Sequence, residues 1–339
     1  MSRGSIAVTP IAVLGAGSWG SALAVQLARA GSFTRLWGRD AEHVGRMRRD
    51  RSNVRYLPGV EFPPTVELMS DLHETLSGVN DVVIAVPSHA FRELLQAIGP
   101  ILAPHARIAW ATKGFELETG SLPHEVAAEV LGKQHAAAVL SGPTFAREVG
   151  AGLPTALTVA SDNVAFAASL AHSLSSPNFR AYTSRDMIGV EVGGAVKNVL
   201  AVAAGLSDGL GFGSNSRVAL ITRGLTEMTR LGVALGGKRD TFMGLAGLGD
   251  LVLTCTDDQS RNRRFGLLLA AGHTSQQALA AIGQAVEGYT AAKAVHVAAR
   301  RAGIHTPICD GVYGAIYEGT PPRDLVHGLM TRPIKAETD

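Results

Sequence analysis

Short apolar runs alternate with amphipathic stretches through the first 160 residues. The runs lie at residues 11–15, 34–37, 81–86, 107–112 and 136–140. Runs that are apolar throughout are typical of strands covered on both faces, and strands that alternate with helices indicate βαβ units. We therefore predict an α/β domain with a doubly wound, mostly parallel sheet, to which residues 155–160 and 179–183 add edge strands.

The pattern changes after about residue 186, where Ala, Leu and Val dominate without blocks of β-branched residues. Val218, Ile221, Leu225 and Met228 recur at the spacing of an amphipathic helix. Residues 278–282 and 291–301 also have a helical pattern. The prediction is an α/β domain at 1–187 and an all-helical domain at 188–339, which would bind substrate and carry the catalytic group.

Composition narrows the classes of function. A formal charge of +2 excludes the strongly basic surface of a general nucleic-acid binder. Two cysteines, Cys255 and Cys309, are too few for a disulfide framework or a structural zinc site, and the eleven histidines form no HExxH motif, so no metal is expected. The apolar stretches are shorter than the roughly 18 residues of a membrane span, so we expect no membrane insertion and a cytoplasmic protein.

Residues 15–20 read GAGSWG, a GxGxxG motif that follows a predicted strand and opens a predicted helix. Gly15 allows a tight turn, Gly17 lets a pyrophosphate approach the backbone, and Gly20 permits close packing of helix on strand. The helix N-terminus offers N–H groups to phosphates. This context favours a Rossmann dinucleotide site over a turn that merely needs glycine.

Two residues after the second strand bear on the choice of cofactor. Arg39 stands where a guanidinium pairs with the 2′-phosphate of NADP, whereas Asp40 stands one position late for the acidic residue that binds the ribose of NAD. We predict that NADPH is preferred, with NADH as the alternative.

Lys197 lies on a helix face whose other positions are apolar or small. Those neighbours are Val190, Gly193, Gly194, Leu200, Ala201 and Ala204. The lysine is either a snorkelling side chain or a desolvated amine that can exchange protons near neutral pH. Two adjacent glycines cost about 1 kcal/mol each in a helix, which is tolerable where another group must pass close to the backbone.

Polar residues at two other places could hold an anion. Ser260 is a plausible N-cap, and with Arg261 and Asn262 it would form a phosphate receptacle, although a basic, solvated helix start fits the same residues. Asp250 follows a glycine turn and is either a helix cap or a site residue. Lys113 follows a strand at the edge where ligands of α/β sheets bind, and residues 141–144 follow the next strand.

Together these segments resemble the bacterial NAD(P)-dependent glycerol-3-phosphate dehydrogenase family. The matching stretches are GAGSWG, LWGRD, ATKGFE, LSGPTFA, GGAVKNVLAVAAG, GLGDLVLTCT, SRNRRFG and VEGY. The resemblance implies a Rossmann domain followed by a helical domain like that of 6-phosphogluconate dehydrogenases. It also implies a homodimer that interconverts dihydroxyacetone phosphate and sn-glycerol 3-phosphate for phospholipid synthesis.

The resemblance assigns roles to individual residues. Lys197 would be the general acid and base. The substrate would be bound by Lys113, Gly142, Thr144, Lys197, Asp250, Ser260, Arg261 and Asn262. The dinucleotide would be contacted by Gly15, Gly17, Ser18, Trp19, Gly20, Arg39, Lys113, Ala146, Arg261 and Glu287. The alternatives are a β-hydroxyacid or 6-phosphogluconate-type dehydrogenase, and a non-catalytic NADP(H) sensor.

Overall fold

The computed structural model describes residues 9–324 of the 339-residue chain. This part contains eight strands. They are β1 Ile11–Leu14, β2 Thr34–Trp37, β3 Val66–Met69, β4 Asp81–Ile84, β5 Arg107–Trp110, β6 Ala137–Ser141, β7 Thr155–Ala160 and β8 Phe179–Ser184. They form one sheet in the order β3-β2-β1-β4-β5-β6-β7-β8.

The strand order reverses at β1, which pairs in parallel with β2 on one side and β4 on the other. All four residues of β1 are buried, as its continuous apolar pattern requires. Since β1, β2, β4, β5 and β6 run in parallel, the residues that follow them lie along one edge of the sheet. Ligands of open α/β sheets bind at that edge, near the point where the strand order reverses.

The mostly parallel sheet confirms the predicted fold class, with two differences. β3 was not predicted. β7 runs antiparallel to β6 and lies between β6 and β8, so only β8 of the two predicted edge strands is at an edge.

Seven helices lie between the strands. They are α1 Ser18–Arg29, α2 Ala41–Asp50, α3 Leu72–Leu76, α4 Phe91–Ile98, α5 Pro123–Leu131, α6 Ala146–Ala151 and α7 Val164–Leu174. The described part of the chain after β8 is helical, as predicted. Its helices are α8 Met187–Gly209, α9 Gly213–Ala234, α10 Asp250–Thr256, α11 Arg261–Ala270, α12 Ser275–Ile282, α13 Glu287–Ala302 and α14 Pro307–Tyr313.

The described chain divides into two compact units. The first comprises residues 9–113 and 122–191, and the second comprises residues 114–121 and 192–324. Compared with the predicted boundary at 187/188, the first unit extends to Glu191, and residues 114–121 belong to the second. The ends of the predicted domains, residues 1–8 and 325–339, lie outside the described residues.

Close packing of α8 on α11 organises the helical unit. A Cβ on Gly205 would lie 2.0 Å from the carbonyl oxygen of Arg263, and one on Gly266 would lie 2.2 Å from that of Val202. Only glycine at both positions allows the two backbones to approach this closely.

Helix α8 is longer and more apolar than the sequence pattern alone suggested. With 23 residues it is long and apolar enough to cross a membrane, yet 94% of its most apolar window is buried inside the protein. A core helix meets the same criterion of length and composition.

Candidate functional site

The three glycines of the GAGSWG loop have different surroundings. Gly15 has a φ of +120°, and a Cβ there would lie 2.5 Å from the carbonyl oxygen of Ala85. A Cβ on Gly20 would lie 1.8 Å from the carbonyl oxygen of Gly15. At Gly17 an added Cβ would meet no heavy atom of residues 9–324 within 4 Å. Gly15 and Gly20 therefore shape the loop, while Gly17 leaves open space beside the backbone.

The start of α1 is suited to bind phosphate. Gly17 is its N-cap, so no side chain of the cap covers the first N–H groups, which lack intrahelical acceptors. The indole nitrogen of Trp19 is buried and has no hydrogen-bond partner within the described structure. Together with the open space at Gly17, these features fit the pyrophosphate of a dinucleotide.

A buried asparagine that the sequence did not indicate holds this loop in place. Nδ2 of Asn53 donates to the carbonyl oxygen of Ala16 at 2.9 Å and to Oγ of Ser21 at 2.8 Å. Asn53 lies beyond α2, so its sequence position gives no sign of this role.

The two residues that bear on cofactor choice differ in their surroundings. Asp40 is the N-cap of α2, where its carboxylate accepts a hydrogen bond from the backbone N–H of His43 at 3.0 Å. This bond lowers the pKa of Asp40 below its ordinary value. Arg39 is exposed directly after β2.

Lys113, Gly142 and Thr144 meet where the adjacent strands β5 and β6 end. Nζ of Lys113 and Oγ1 of Thr144 donate to the carbonyl oxygen of Gly142 at 3.3 and 3.1 Å. Gly142 has a φ of +153°, and a Cβ there would lie 2.9 Å from Cα of Leu157, so the turn requires glycine. Ala146 follows as the first residue of α6.

Lys197 is buried in the helical unit and is ion-paired. Its side chain is 9% exposed, and Nζ lies 2.7 Å from Oδ1 of Asp250 and 3.0 Å from Oγ1 of Thr254. The snorkelling interpretation is therefore wrong. Thr254 was not predicted, although it stands four residues after Asp250 on the same helix face.

Asp250 does not cap a helix. It is the first residue of α10, whose N-cap is Gly249, and its side chain is 2% exposed and bonded to Lys197. The π-helical turn Leu245–Gly249 before it explains one of the two adjacent glycines, Gly193 and Gly194, in α8. A Cβ on Gly193 would lie 2.4 Å from the carbonyl oxygen of Ala246, so this turn is the close neighbour that the glycine pair predicted.

An amide network joins Asn262 and Glu287 through a residue that the sequence did not indicate, Asn198. Nδ2 of Asn198 donates to Oε2 of Glu287 at 3.1 Å, and Nδ2 of Asn262 donates to Oδ1 of Asn198 at 2.8 Å. Oδ1 of Asn262 accepts from the backbone N–H of Gly288 at 2.9 Å. Asn198 follows Lys197 directly in the sequence, and this position could have indicated that Asn198 has a role in the site.

The start of α11 has the predicted N-cap. Oγ of Ser260 accepts from the backbone N–H of Arg263 at 3.2 Å. Arg261 is half-buried, and its Nη1 lies 3.5 Å from Oε1 of Gln284. The guanidinium of Arg263 instead donates to Asp208 at 2.7 Å, so this arginine fastens α11 to α8.

The predicted site residues divide between the two units. The first unit contains Gly15, Gly17, Ser18, Trp19, Gly20, Arg39, Lys113, Gly142, Thr144 and Ala146, and the second contains Lys197, Asp250, Ser260, Arg261, Asn262 and Glu287. Within residues 9–324, no group of three or more His, Cys, Asp and Glu side chains is arranged to hold a metal ion.

Comparison with known proteins identifies relatives over nearly the whole chain. Residues 10–167 match the sequence model of the NAD-dependent glycerol-3-phosphate dehydrogenase N-terminus, and residues 186–327 match that of the C-terminus. The chain is 54% identical over 328 residues to glycerol-3-phosphate dehydrogenase (NAD(P)+) of Aeromonas hydrophila, covering 96% of this chain and 98% of the relative. It is 52% identical to the protein of the same name from Pasteurella multocida, covering 98% and 99% of the two chains.

A solved structure gives the same result. The crystal structure of glycerol-3-phosphate dehydrogenase from Coxiella burnetii is similar with a TM-score of 0.93 at 50% identity, covering 96% of this chain and 99% of that one. The resemblance seen in the sequence motifs is confirmed: the chain belongs to the NAD-dependent glycerol-3-phosphate dehydrogenase family.

Proposed function

We propose that this protein interconverts dihydroxyacetone phosphate and sn-glycerol 3-phosphate with NADPH or NADH as the redox partner. The observation that carries the proposal is the buried pair of Lys197 and Asp250 in a chain of this family. A buried amine with a fixed carboxylate partner can exchange a proton with a substrate oxygen.

The residues of the first unit would hold the dinucleotide. Gly15, Gly17 and Gly20, with Ser18 and Trp19 at the start of α1, would bind the pyrophosphate. Contacts from Lys113, Ala146, Arg261 and Glu287 are carried over from the family. When bound, the reduced nicotinamide supplies the hydride that the carbonyl carbon C2 of the substrate accepts.

We assign the preference for NADPH to Arg39. Its guanidinium is exposed after β2, where it can pair with a 2′-phosphate, while the carboxylate of Asp40 is engaged as the cap of α2. NADH, which lacks that phosphate, would bind without this contact.

The substrate phosphate would be held at the start of α11. Ser260 and Arg261 offer a hydroxyl and a guanidinium there, and Asn262 orders the segment through Asn198 and Gly288. Binding energy from the phosphate, which does not react, orients the carbonyl for reduction. We also assign Gly142, Thr144 and Lys113 to substrate binding, as the resemblance of the sequence to the family implies.

Lys197 would supply the proton. As hydride reaches C2, negative charge grows on the carbonyl oxygen, and the ammonium of Lys197 donates a proton to that oxygen. Asp250 and Thr254 position the amine, since Nζ lies 2.7 Å from Oδ1 of Asp250 and 3.0 Å from Oγ1 of Thr254. In the oxidation of sn-glycerol 3-phosphate the neutral amine takes the proton from the C2 hydroxyl.

We further propose that the protein acts as a cytoplasmic homodimer that supplies sn-glycerol 3-phosphate to phospholipid synthesis. Membership of the family supports this proposal. Sedimentation equilibrium of the purified chain tests the assembly, and twice the mass of one chain is the expected result.

The activity is tested by following the absorbance of NADPH, and separately of NADH, with dihydroxyacetone phosphate as acceptor. We expect turnover with both and a higher kcat/KM with NADPH. Dihydroxyacetone without phosphate and small β-keto acids are the controls. Faster turnover of a β-keto acid would identify a sister dehydrogenase, and NADPH binding without turnover of any acceptor would identify a sensor.

A further inference from the structure

Glu191 carries a carboxylate in the interior of the first unit, where its side chain is 1% exposed. Both of its oxygens accept hydrogen bonds. Oε1 accepts from the indole Nε1 of Trp110 and from the backbone N–H of His124, each at 2.9 Å. Oε2 lies 2.5 Å from Nδ1 of His124. The carboxylate therefore has three donors from two other elements of the unit.

These donors come from positions close in sequence to residues of the proposed site. Trp110 is the last residue of β5, three residues before Lys113. His124 lies in the first turn of α5. Glu191 itself lies on α8, six residues before Lys197. One carboxylate thus joins the first turns of α8 to β5 and α5 within the first unit.

A carboxylate can accept all three of these hydrogen bonds. A buried carboxylate is costly unless donors surround it, so it is an unusual choice for simple packing. An apolar residue would leave the indole N–H and the N–H of His124 without acceptors. Glutamine has one acceptor oxygen and no charge, so its amide N–H could meet Nδ1 of His124 only if a neutral His124 carried its proton on Nε2.

Burial raises the pKa of Glu191 above its ordinary value, and the hydrogen bonds from His124 and Trp110 oppose that rise. Burial by itself would lower the pKa of His124, but the hydrogen bond and the charge of Glu191 outweigh burial and raise that pKa above its ordinary value. Glu125 and Asp162 act in the same direction. The ring of Trp110 is held as well, since it packs edge-on against Phe91 at 5.7 Å between ring centroids.

We propose that Glu191 is a positioning residue for the reaction, because it anchors the first turns of α8, the helix that carries Lys197. A helix is stiff over six residues, which span about 9 Å. Movement at Glu191 is therefore transmitted to the amine. This inference rests on the proposed role of Lys197.

The test compares two buried glutamates changed in the same way. Glu191→Gln removes the charge and one acceptor at the base of α8. Glu227→Gln is the matched control, because Glu227 is also buried and accepts two hydrogen bonds, from the N–H groups of Ile308 and Cys309 at 2.8 and 3.2 Å. Both variants are assayed at a temperature at which circular dichroism shows each to be folded.

We expect Glu191→Gln to lower kcat roughly tenfold or more, with the KM for dihydroxyacetone phosphate changed less than threefold. Glu227→Gln should keep kcat within about twofold. A kcat of Glu191→Gln within twofold of wild type, or an equal loss of kcat in both variants, would overturn the proposal.

A second readout separates this inference from the proposed function. Hydrogen exchange of peptides that cover residues 187–200 should be faster in Glu191→Gln than in wild type and unchanged in Glu227→Gln. Absence of turnover in the wild type would contradict the proposed function. In that event, faster exchange would still support the anchoring of α8, and unchanged exchange would overturn it.

Discussion

The loop at the start of α1 and the network around Lys197 are built in opposite ways. The loop occupies six consecutive residues, and its form depends on side chains that are absent at Gly15 and Gly20. The network assembles Lys197, Asp250 and Thr254 from α8 and α10, helices separated by α9. The loop is shaped by closely packed backbone, whereas the network consists of buried polar side chains that bond to one another.

This difference determines how each region fails. The glycine loop is disrupted when a side-chain atom is added, because there is no room for that atom beside the backbone. The buried polar network is destabilised when a group is removed, because the partner of that group stays buried without a hydrogen bond or an opposite charge. The substitutions at Gly20 and Gly17 test the first region, and the substitution at Asp250 tests the second.

The largest effect is expected for Gly20→Ala. The new Cβ would lie 1.8 Å from the carbonyl oxygen of Gly15, so the loop cannot keep its form. We expect dinucleotide binding to be lost and the free energy of unfolding to fall by more than about 3 kcal/mol. Isothermal titration calorimetry and urea denaturation measure the two quantities.

Gly17→Ala is the control for that experiment. The added Cβ meets no heavy atom within 4 Å in the described part of the chain, so stability should be unchanged while the Kd for NADPH rises. Equal destabilisation by the two substitutions would contradict the roles assigned to these glycines.

Asp250→Asn tests the removal of a group. It leaves the buried ammonium of Lys197 without its carboxylate, at a cost of about 3 kcal/mol in the free energy of unfolding. The double variant Lys197→Met/Asp250→Leu removes both charges, and it should recover most of this stability while having no turnover. Recovery of turnover along with stability would refute the role of the pair in the reaction.

From the burial of Glu227 we predict a pH dependence of stability in the helical unit. Burial raises the pKa of Glu227 from 4.5 to about 7. The folded state therefore binds more protons than the unfolded state between these values, so the contribution of Glu227 to stability falls as the pH rises from 4.5 to about 7. Relative to Glu227→Gln, the wild type should lose on the order of 2 kcal/mol across this range. Urea denaturation at several pH values would show parallel curves if this assignment is wrong.

The smallest effect is expected for Arg39→Ala. The side chain is exposed, so stability should not change, but the KM for NADPH should rise about tenfold, equivalent to ~1.4 kcal/mol. The KM for NADH, which has no 2′-phosphate, should be almost unaffected. Steady-state kinetics with both dinucleotides decide the matter, and equal changes would reject the assignment.

The same contrast explains how much of the structure was predictable. Strand β1 is a continuous apolar run, and β4 and β5 are apolar after their first residues, Asp81 and Arg107, so local pattern identifies all three. Strand β3 reads VELM, with Glu67 exposed, and it lies at an edge of the sheet, so no run of apolar residues marks it. The glycine loop was predictable because all of its determinants lie within six residues.

The side-chain network was predictable only in part. The apolar face of α8 singled out Lys197, but nothing in the local sequence shows which group meets it. From the sequence, Asp250 could be either a helix cap or a site residue, and only its contact with Lys197 decides between the two. Thr254 and Asn198 belong to no sequence motif that would single them out. Partners from helices distant in sequence are determined by packing, which local patterns do not contain.

The proton transfer assigned to Lys197 is tested most directly by Lys197→Ala, with the rate of NADPH oxidation by dihydroxyacetone phosphate and the Kd for NADPH measured on the same preparation. The expected result is a kcat at least a hundredfold lower with the Kd for NADPH unchanged, since general acid catalysis contributes about 10²–10⁴-fold. A kcat within a few-fold of wild type would show that another group donates the proton.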